Sequence, residues 1–219
     1  MRTAERSING GVTPFSIWLD EGRELLRKGE RTRLDLLQSA SLFLGENSLE
    51  QLTVSVISKM TGVAHGTFYL HFKDRYDLVG ALLGKFVEYL QIQMLAASRQ
   101  AGDPVHTTTV AYFHLFKHHA GLMKCLVIGI DAFPQARLAF QKLNKDWADV
   151  VVHARLKGDG TDQVAREDLM RRAYALGGMV DQYLTALFVT EDPWLHEVSK
   201  DADAVINTLT DIWKRGIEV

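Results

Sequence analysis

With 219 residues, 47% of them hydrophobic and 24% charged, the chain can bury a sizeable core and hold a small domain beside a larger one. A net charge of -2 excludes a general attraction to polyanions, so any nucleic-acid contact has to come from a local patch. No run approaches the roughly 18 to 20 apolar residues of a membrane span, and the opening MRTAERSINGGVTPF lacks the apolar core of a secretory signal. A cytoplasmic protein is expected, and Cys125, the single cysteine, has no intrachain disulfide partner.

Helical periodicity runs through the whole chain, and no alternating strand pattern, repeat or low-complexity tract interrupts it. Residues 1–30 read as an N-terminal extension, in which Ser16 to Lys28 form a short amphipathic stretch with Ile17, Leu25 and Leu26 available for packing. From Arg31 to about Leu44, the stripe Leu34, Leu37, Ser41 and Leu44 predicts a helix closed by Gly45 and Asn47. Thr53 is a start signal for a short helix that Gly62 ends. A second short helix follows within a few residues, the pattern of a helix-turn-helix. Lys73 and Asp74 then lead into a longer helix carrying Val79, Leu83, Phe86 and Leu90.

The second short helix has two faces. Phe68 and Phe72 suit a core, whereas Thr67, Tyr69, His71, Lys73 and Arg75 crowd the other side with hydrogen-bonding groups. From Leu52 to Leu83, the combination of Gly62-Val63, Gly66-Thr67-Phe68-Tyr69 and His71-Phe72 with the basic residues after it resembles the DNA-binding domain of the tetracycline-repressor family of bacterial transcriptional regulators. The resemblance covers about the first 85 residues. Beyond them only helical character and length are similar.

The resemblance implies an all-α fold, with a helix-turn-helix three-helix DNA-binding domain at 31–83 and a larger helical ligand-binding and dimerisation domain at 84–219. It places Thr53 and Tyr69 at phosphates, with Thr67, His71 and the stretch from Lys73 to Arg75 reinforcing them. Ser55, Ala64, His65 and Gly66 fall nearest the base edges. Hydroxyls and cations are the groups that hold a DNA backbone in register. Gly66 has no side chain and lets the backbone approach the groove. In one respect the chain departs from the family pattern: no Arg or Lys occurs between Lys59 and Lys73, so guanine-centred readout loses its commonest reader. Arg2, Arg6, Arg31 and Arg33 are candidate compensating cations, and an N-terminal arm in the minor groove is one way to use them.

In the second half, Asp103-Pro104 opens a helix through about His119, Gly121 interrupts, and LMKCLVIGI is a short apolar piece. A long helix is expected from Pro134 to Leu156, then the loop GDGTDQ, then helices from Asp162 to Val189 and from Pro193 to Arg215. Leu169, Ala173, Leu176, Val180, Tyr183 and Leu187 make a coiled-coil-like seam, repeated by Val198, Ala202, Val205, Leu209 and Ile212. Periodicity alone fits an internal core. The family resemblance implies instead a homodimer built on the last two helices, reading a palindromic double-stranded DNA operator, with Ala173, Gly177 and Gly178 allowing close approach and Trp194 and Trp213 flanking the last helix.

An effector site for a small apolar molecule is expected among the central helices, with Phe86, Phe113, His114, Met123, Phe133, Phe140, Trp147, Met170, Tyr174 and Gln182 as candidates. Each also fits ordinary packing. His114 and His118 share a helix face, but no third ligand stands nearby in sequence, so neither a metal nor another cofactor is expected. No phosphate-cradling glycine loop, Gly-x-Ser-x-Gly elbow or His-Glu-x-x-His occurs, and Asp131 and Asp181 read as solvated or capping carboxylates. The expected function is therefore that of a ligand-responsive DNA-binding regulator, not an enzyme, and a repressor released by its effector is the common form. The alternative is a helical module that binds another regulator protein rather than DNA.

Overall fold

The computed structural model describes residues 13–129, 134–156 and 163–218, and all regular structure among them is helical. The α-helices are α1 (Phe15–Leu19), α2 (Lys28–Glu46), α3 (Val54–Thr61), α4 (His65–Tyr69), α5 (Arg75–Ser98), α6 (Pro104–His118), α7 (Ala120–Val127), α8 (Pro134–Arg155), α9 (Gln163–Phe188), α10 (Pro193–Val198) and α11 (Ala202–Ile217).

Local chemistry explains most boundaries. Asp74, Asp103, Asp192 and Asp201 each accept backbone N–H bonds in the first turn of α5, α6, α10 and α11, and Pro104 and Pro193 open their helices where a missing N–H costs nothing. The expected single helix from Pro193 is two: Asp201 caps a new start, and Ser199 between them is held by Tyr183 Oη at 2.7 Å. Val198 consequently ends short α10 and is 78% exposed, off the seam the sequence drew for it. Gly121 also corrects expectation, because it lies inside α7 and the break falls at His119.

One core cluster runs from Phe15 to Leu209 and joins the N-terminal helices to the rest. Helix α5 is its axis, packed by α2, α6 and α8. By length and composition α5 could cross a membrane, with a mean hydropathy of 1.2 over 18 residues. Here Leu78, Leu82, Leu83, Phe86 and Leu90 are instead fully buried against neighbouring helices.

Of the residues the sequence offered for packing in the N-terminal extension, Leu26 lies against the core and the other two do not. Ile17 and Leu25 are exposed, whereas Phe15 and Leu19 are buried. Phe15 meets the edge of Phe86 at 5.2 Å and Tyr89 at 5.1 Å. Tyr89 Oη donates to the Thr13 carbonyl at 2.7 Å and lies 3.3 Å from His119 Nε2. With the tyrosine proton so committed, Nε2 carries a hydrogen and donates to Tyr89. Burial pushes His119 down to about 4, keeping the ring neutral at physiological pH.

Candidate DNA interface and effector cavity

Thr53 Oγ1 accepts the Val56 N–H at 3.2 Å and starts α3, leaving the hydroxyl hydrogen free to donate outward. Gly62 ends α3 with φ +72°, a left-handed turn suited to glycine. That turn swings α4 across α3, and Phe68 and Phe72, both buried, hold α4 to the core. The opposite face of α4 is solvent-facing: Ala64, His65, Gly66, Tyr69 and Leu70 are exposed, as are Thr53, Ser55 and Lys73 beside it. His65 and Tyr69 rings stand edge to face at 5.5 Å.

Three expected DNA residues sit differently. Arg75 is half-buried, with Nη1 donating to the Leu52 carbonyl at 3.0 Å and Nη2 to Tyr76 Oη at 2.7 Å. It ties the start of α5 to the approach of α3, so its guanidinium is occupied inside the domain. His71 is half-buried beside Gly29 of α2, and Thr67 is half-buried on α4. Of the candidate compensating arginines, Arg31 donates to the Leu26 carbonyl at 2.8 Å and Arg33 stacks 4.8 Å over the Phe72 ring. Arg2 and Arg6 lie outside the described residues. Leu70, expected with His65 at the exposed positions of this helix, is 81% exposed; Met60, 46% exposed beside it, was not expected, because only the packing of Phe68 and Phe72 shows which neighbouring apolar residues face outward.

A cavity of about 670 Å³ opens between the C-terminal end of α5, the start of α6, and α8, α9 and α11. Met94, Leu143, Trp147, Val180 and Trp213 supply its apolar walls, and Thr108, Thr109, Tyr112, Asn144 and Asp181 its polar groups. Lys214 is bonded to Asp103 at 2.8 Å on its rim. Its volume and mixed lining suit a small molecule. Asp181 is 6% exposed, not the solvated or capping carboxylate expected of it, and accepts a 2.6 Å bond from Tyr112 Oη. Burial raises Asp181 to about 6 and drives Tyr112 well above the ordinary tyrosine range.

Of the expected ligand contacts, Trp147 lines this cavity. Phe86 and Met123 are fully buried core, Phe113 packs on Phe188 at 5.2 Å, and Phe140 packs against the same core. Met170 covers a smaller cluster around Val152 and Leu169. Tyr174 and Gln182 face outward from α9, and Phe133 and Asp131 lie outside the described residues. His114 and His118 rings are 6.3 Å apart, and no group of three metal-ligating side chains forms among the described residues. Cys125 is buried, and its thiol is pushed up to about 11.

The expected seam also turns inward. Leu169, Ala173 and Leu176 pack against Ala148, Val152 and Ile217, while Leu187, Val205 and Leu209 join the main core and Val180 faces the cavity. Tyr183 is half-buried on Ser199. A heptad stripe on a helix that packs on several neighbours marks its buried side, so Leu169, Ala173, Leu176, Leu187, Val205 and Leu209 are spent inside the chain. Gly177 is likewise cavity wall, whereas Gly178 faces solvent, and a Cβ added there would have nothing within 4 Å. Trp213 is cavity wall and Trp194 is 79% exposed.

Residues 36–82 match the family described as "Bacterial regulatory proteins, tetR family". The fatty acid metabolism regulator protein of Bacillus subtilis (strain 168) is 36% identical over 62 residues, 26% of this chain, and the match spans 32% of that protein's length. Among solved structures, the fatty acid degradation regulator FadR from Bacillus halodurans shares the fold, with a TM-score of 0.63 at 18% identity over 83% of this chain and 94% of that one. FadR from Bacillus subtilis in complex with stearoyl-CoA has a TM-score of 0.57 at 20% identity, covering 84% and 99%. A TetR-family regulator from Rhodococcus sp. has a TM-score of 0.65 at 15% identity, covering 86% and 100%. The helix-turn-helix of α3 and α4 thus lies in a segment that matches the tetR family of bacterial regulatory proteins, and the helical fold around and behind it is shared with solved regulators of that family.

Proposed function

We propose that the protein is a homodimeric repressor whose hold on a palindromic operator is released by a largely apolar effector bound in the α5–α6–α8–α9–α11 cavity. The observation that carries this reading is the double role of α5. Its first residues are tied by Arg75 to the approach of α3, and Met94 and Ser98 near its other end line the cavity. At 24 residues it spans about 36 Å, long enough to turn a small shift at the cavity into a displacement of α4. On this reading 31–83 reads DNA and 84–219 senses the effector, and the two binding events oppose each other by the same factor in both directions.

The dimer face follows from what the core leaves over. Tyr174, Gly178 and Gln182 on α9 and Ala204, Thr208 and Ile212 on α11 are exposed at helical spacing. Small residues on both helices suit close packing of two such pairs as a four-helix bundle. For the effector, relatives concerned with fatty acid metabolism, one of them solved with stearoyl-CoA, make compounds with a long aliphatic chain the first class to test.

Fluorescence anisotropy on the duplex upstream of the coding region, across a salt series and with or without stearoyl-CoA, tests the proposal. Tight binding whose logarithm falls steeply with log salt, by about -0.9 per phosphate contact, supports it. The uncharged, Leu70-bearing face of α4 favours the second reading, an interaction module for another regulator. Failure to bind any duplex from a random pool would favour that module.

A further inference from the structure

The cavity contains a charge that the protein leaves uncompensated. Among the described residues Asp181 accepts one hydrogen bond, from Tyr112 to Oδ1, and burial with that bond accounts for its shifted titration without any cation. Of the two cations in the lining, Lys214 is engaged by Asp103 at 2.8 Å, and Arg155 is exposed at the end of α8 and is not among the groups that shift Asp181. Val180, Leu143 and Trp147 surround the space with apolar surface. With a midpoint near 6, the carboxyl is mostly ionised at neutral pH. A buried ionised group with one bond is costly unless a partner arrives.

We propose that the effector carries a hydrogen-bond-donating end, a protonated amine or a hydroxyl, on an apolar body, and that Asp181 selects it through Oδ2. The inference rests on reading this cavity as the effector site. A donor end completes the coordination that Tyr112 begins, and an ammonium also neutralises the charge. A carboxylate end meets like charge in a space of low polarity. A bare hydrocarbon end excludes solvent from Oδ2 and offers it no donor in return. Tyr112 is a positioning residue: its hydroxyl fixes Oδ1 and so aims Oδ2 at the cavity.

The test is titration of the full chain with three matched ten-carbon probes, decylammonium, 1-decanol and decanoate, below their aggregation concentrations. Trp147 and Trp213 on the cavity wall report binding by emission. Wild type is expected to bind decylammonium and decanol about tenfold or more tighter than decanoate, as hydrogen bonds to a charged group imply. Asp181→Asn should remove the advantage of decylammonium over decanoate, while Tyr112→Phe keeps the order with weaker binding. Comparison of amine with alcohol identifies the source of the donor. Decanoate binding as tightly as the other two in wild type overturns the proposal and leaves the cavity reading standing. An unchanged order in Asp181→Asn overturns it equally. If no probe changes emission, the cavity reading fails and the donor proposal with it. The wild-type ranking alone is decisive should the Asn variant fold poorly by circular dichroism.

Discussion

Gly121 of α7 lies directly on Leu44 of α2. A Cβ on Gly121 would overlap the Leu44 carbonyl oxygen and stand 2.9 Å from Gly45 Cα. The contact joins the first helix of the DNA-binding unit to the helix that follows α6, one wall of the cavity. The helix-turn-helix segment and the helices around the cavity therefore meet both along α5 and at this glycine.

Gly121→Ala should force α2 and α7 apart, because backbone atoms cannot swing away as a side chain can. We expect a loss of about 1–3 kcal/mol in chemical denaturation, as for an overpacked core. The variant should also show weakened release of operator by effector. Full stability with unchanged release would show that this contact transmits nothing.

Gly66 is the opposite case. Its surroundings are open, with nothing within 4 Å of an added Cβ, and its backbone is ordinary helix. Gly66→Ala should stabilise the fold by a few tenths to about 1 kcal/mol through helix propensity. If the backbone there approaches DNA, the same substitution should weaken operator binding about tenfold or more; thermal unfolding and anisotropy on one sample give both readings.

Lys73 and Arg75 should separate cleanly. Lys73→Ala removes an exposed cation, so the melting temperature should barely move while the log–log salt slope shrinks by about 0.9. Arg75→Ala leaves the Leu52 carbonyl without its donor and should cost about 1–3 kcal/mol, with the salt slope kept. A reversed pattern would place Arg75 at the phosphates.

Two buried groups titrate with opposite sign. Asp181 is raised to about 6, so its contribution to stability is full below about 4 and is lost as pH rises towards and past 6. His119 is lowered to about 4, so its contribution is full above about 6.5 and is lost as pH falls towards 4. Each shift is worth on the order of 3 kcal/mol across its window. Urea denaturation at pH 4 and pH 7 should show wild type losing ground to Asp181→Asn as pH rises, by an amount of that order. A constant difference between the two proteins would refute the burial of an ionisable Asp181.

Gly178→Glu tests the dimer face. The site faces solvent in the single chain, so the fold should survive, while sedimentation should show monomer in place of dimer. A dimer that persists would move the interface elsewhere.

The helices and the DNA-reading unit are legible along the chain. Thr53, Gly62, Asp74 and Asp103-Pro104 act on their nearest neighbours, so capping and turn chemistry can be read locally, and the spacing around Tyr69 carries the family resemblance that the match over residues 36–82 bears out. Which stripes face inward was legible only in three dimensions. Leu169, Ala173 and Leu176 have the same period whether they meet a second chain or their own α8, and period carries no information about the partner. Asp181 and Tyr112 are 69 residues apart, and their pairing exists only because α6 and α9 cross there. A cavity is a space the packing fails to fill, so Phe86 and Met123 became core while Thr108 and Asp181 became wall.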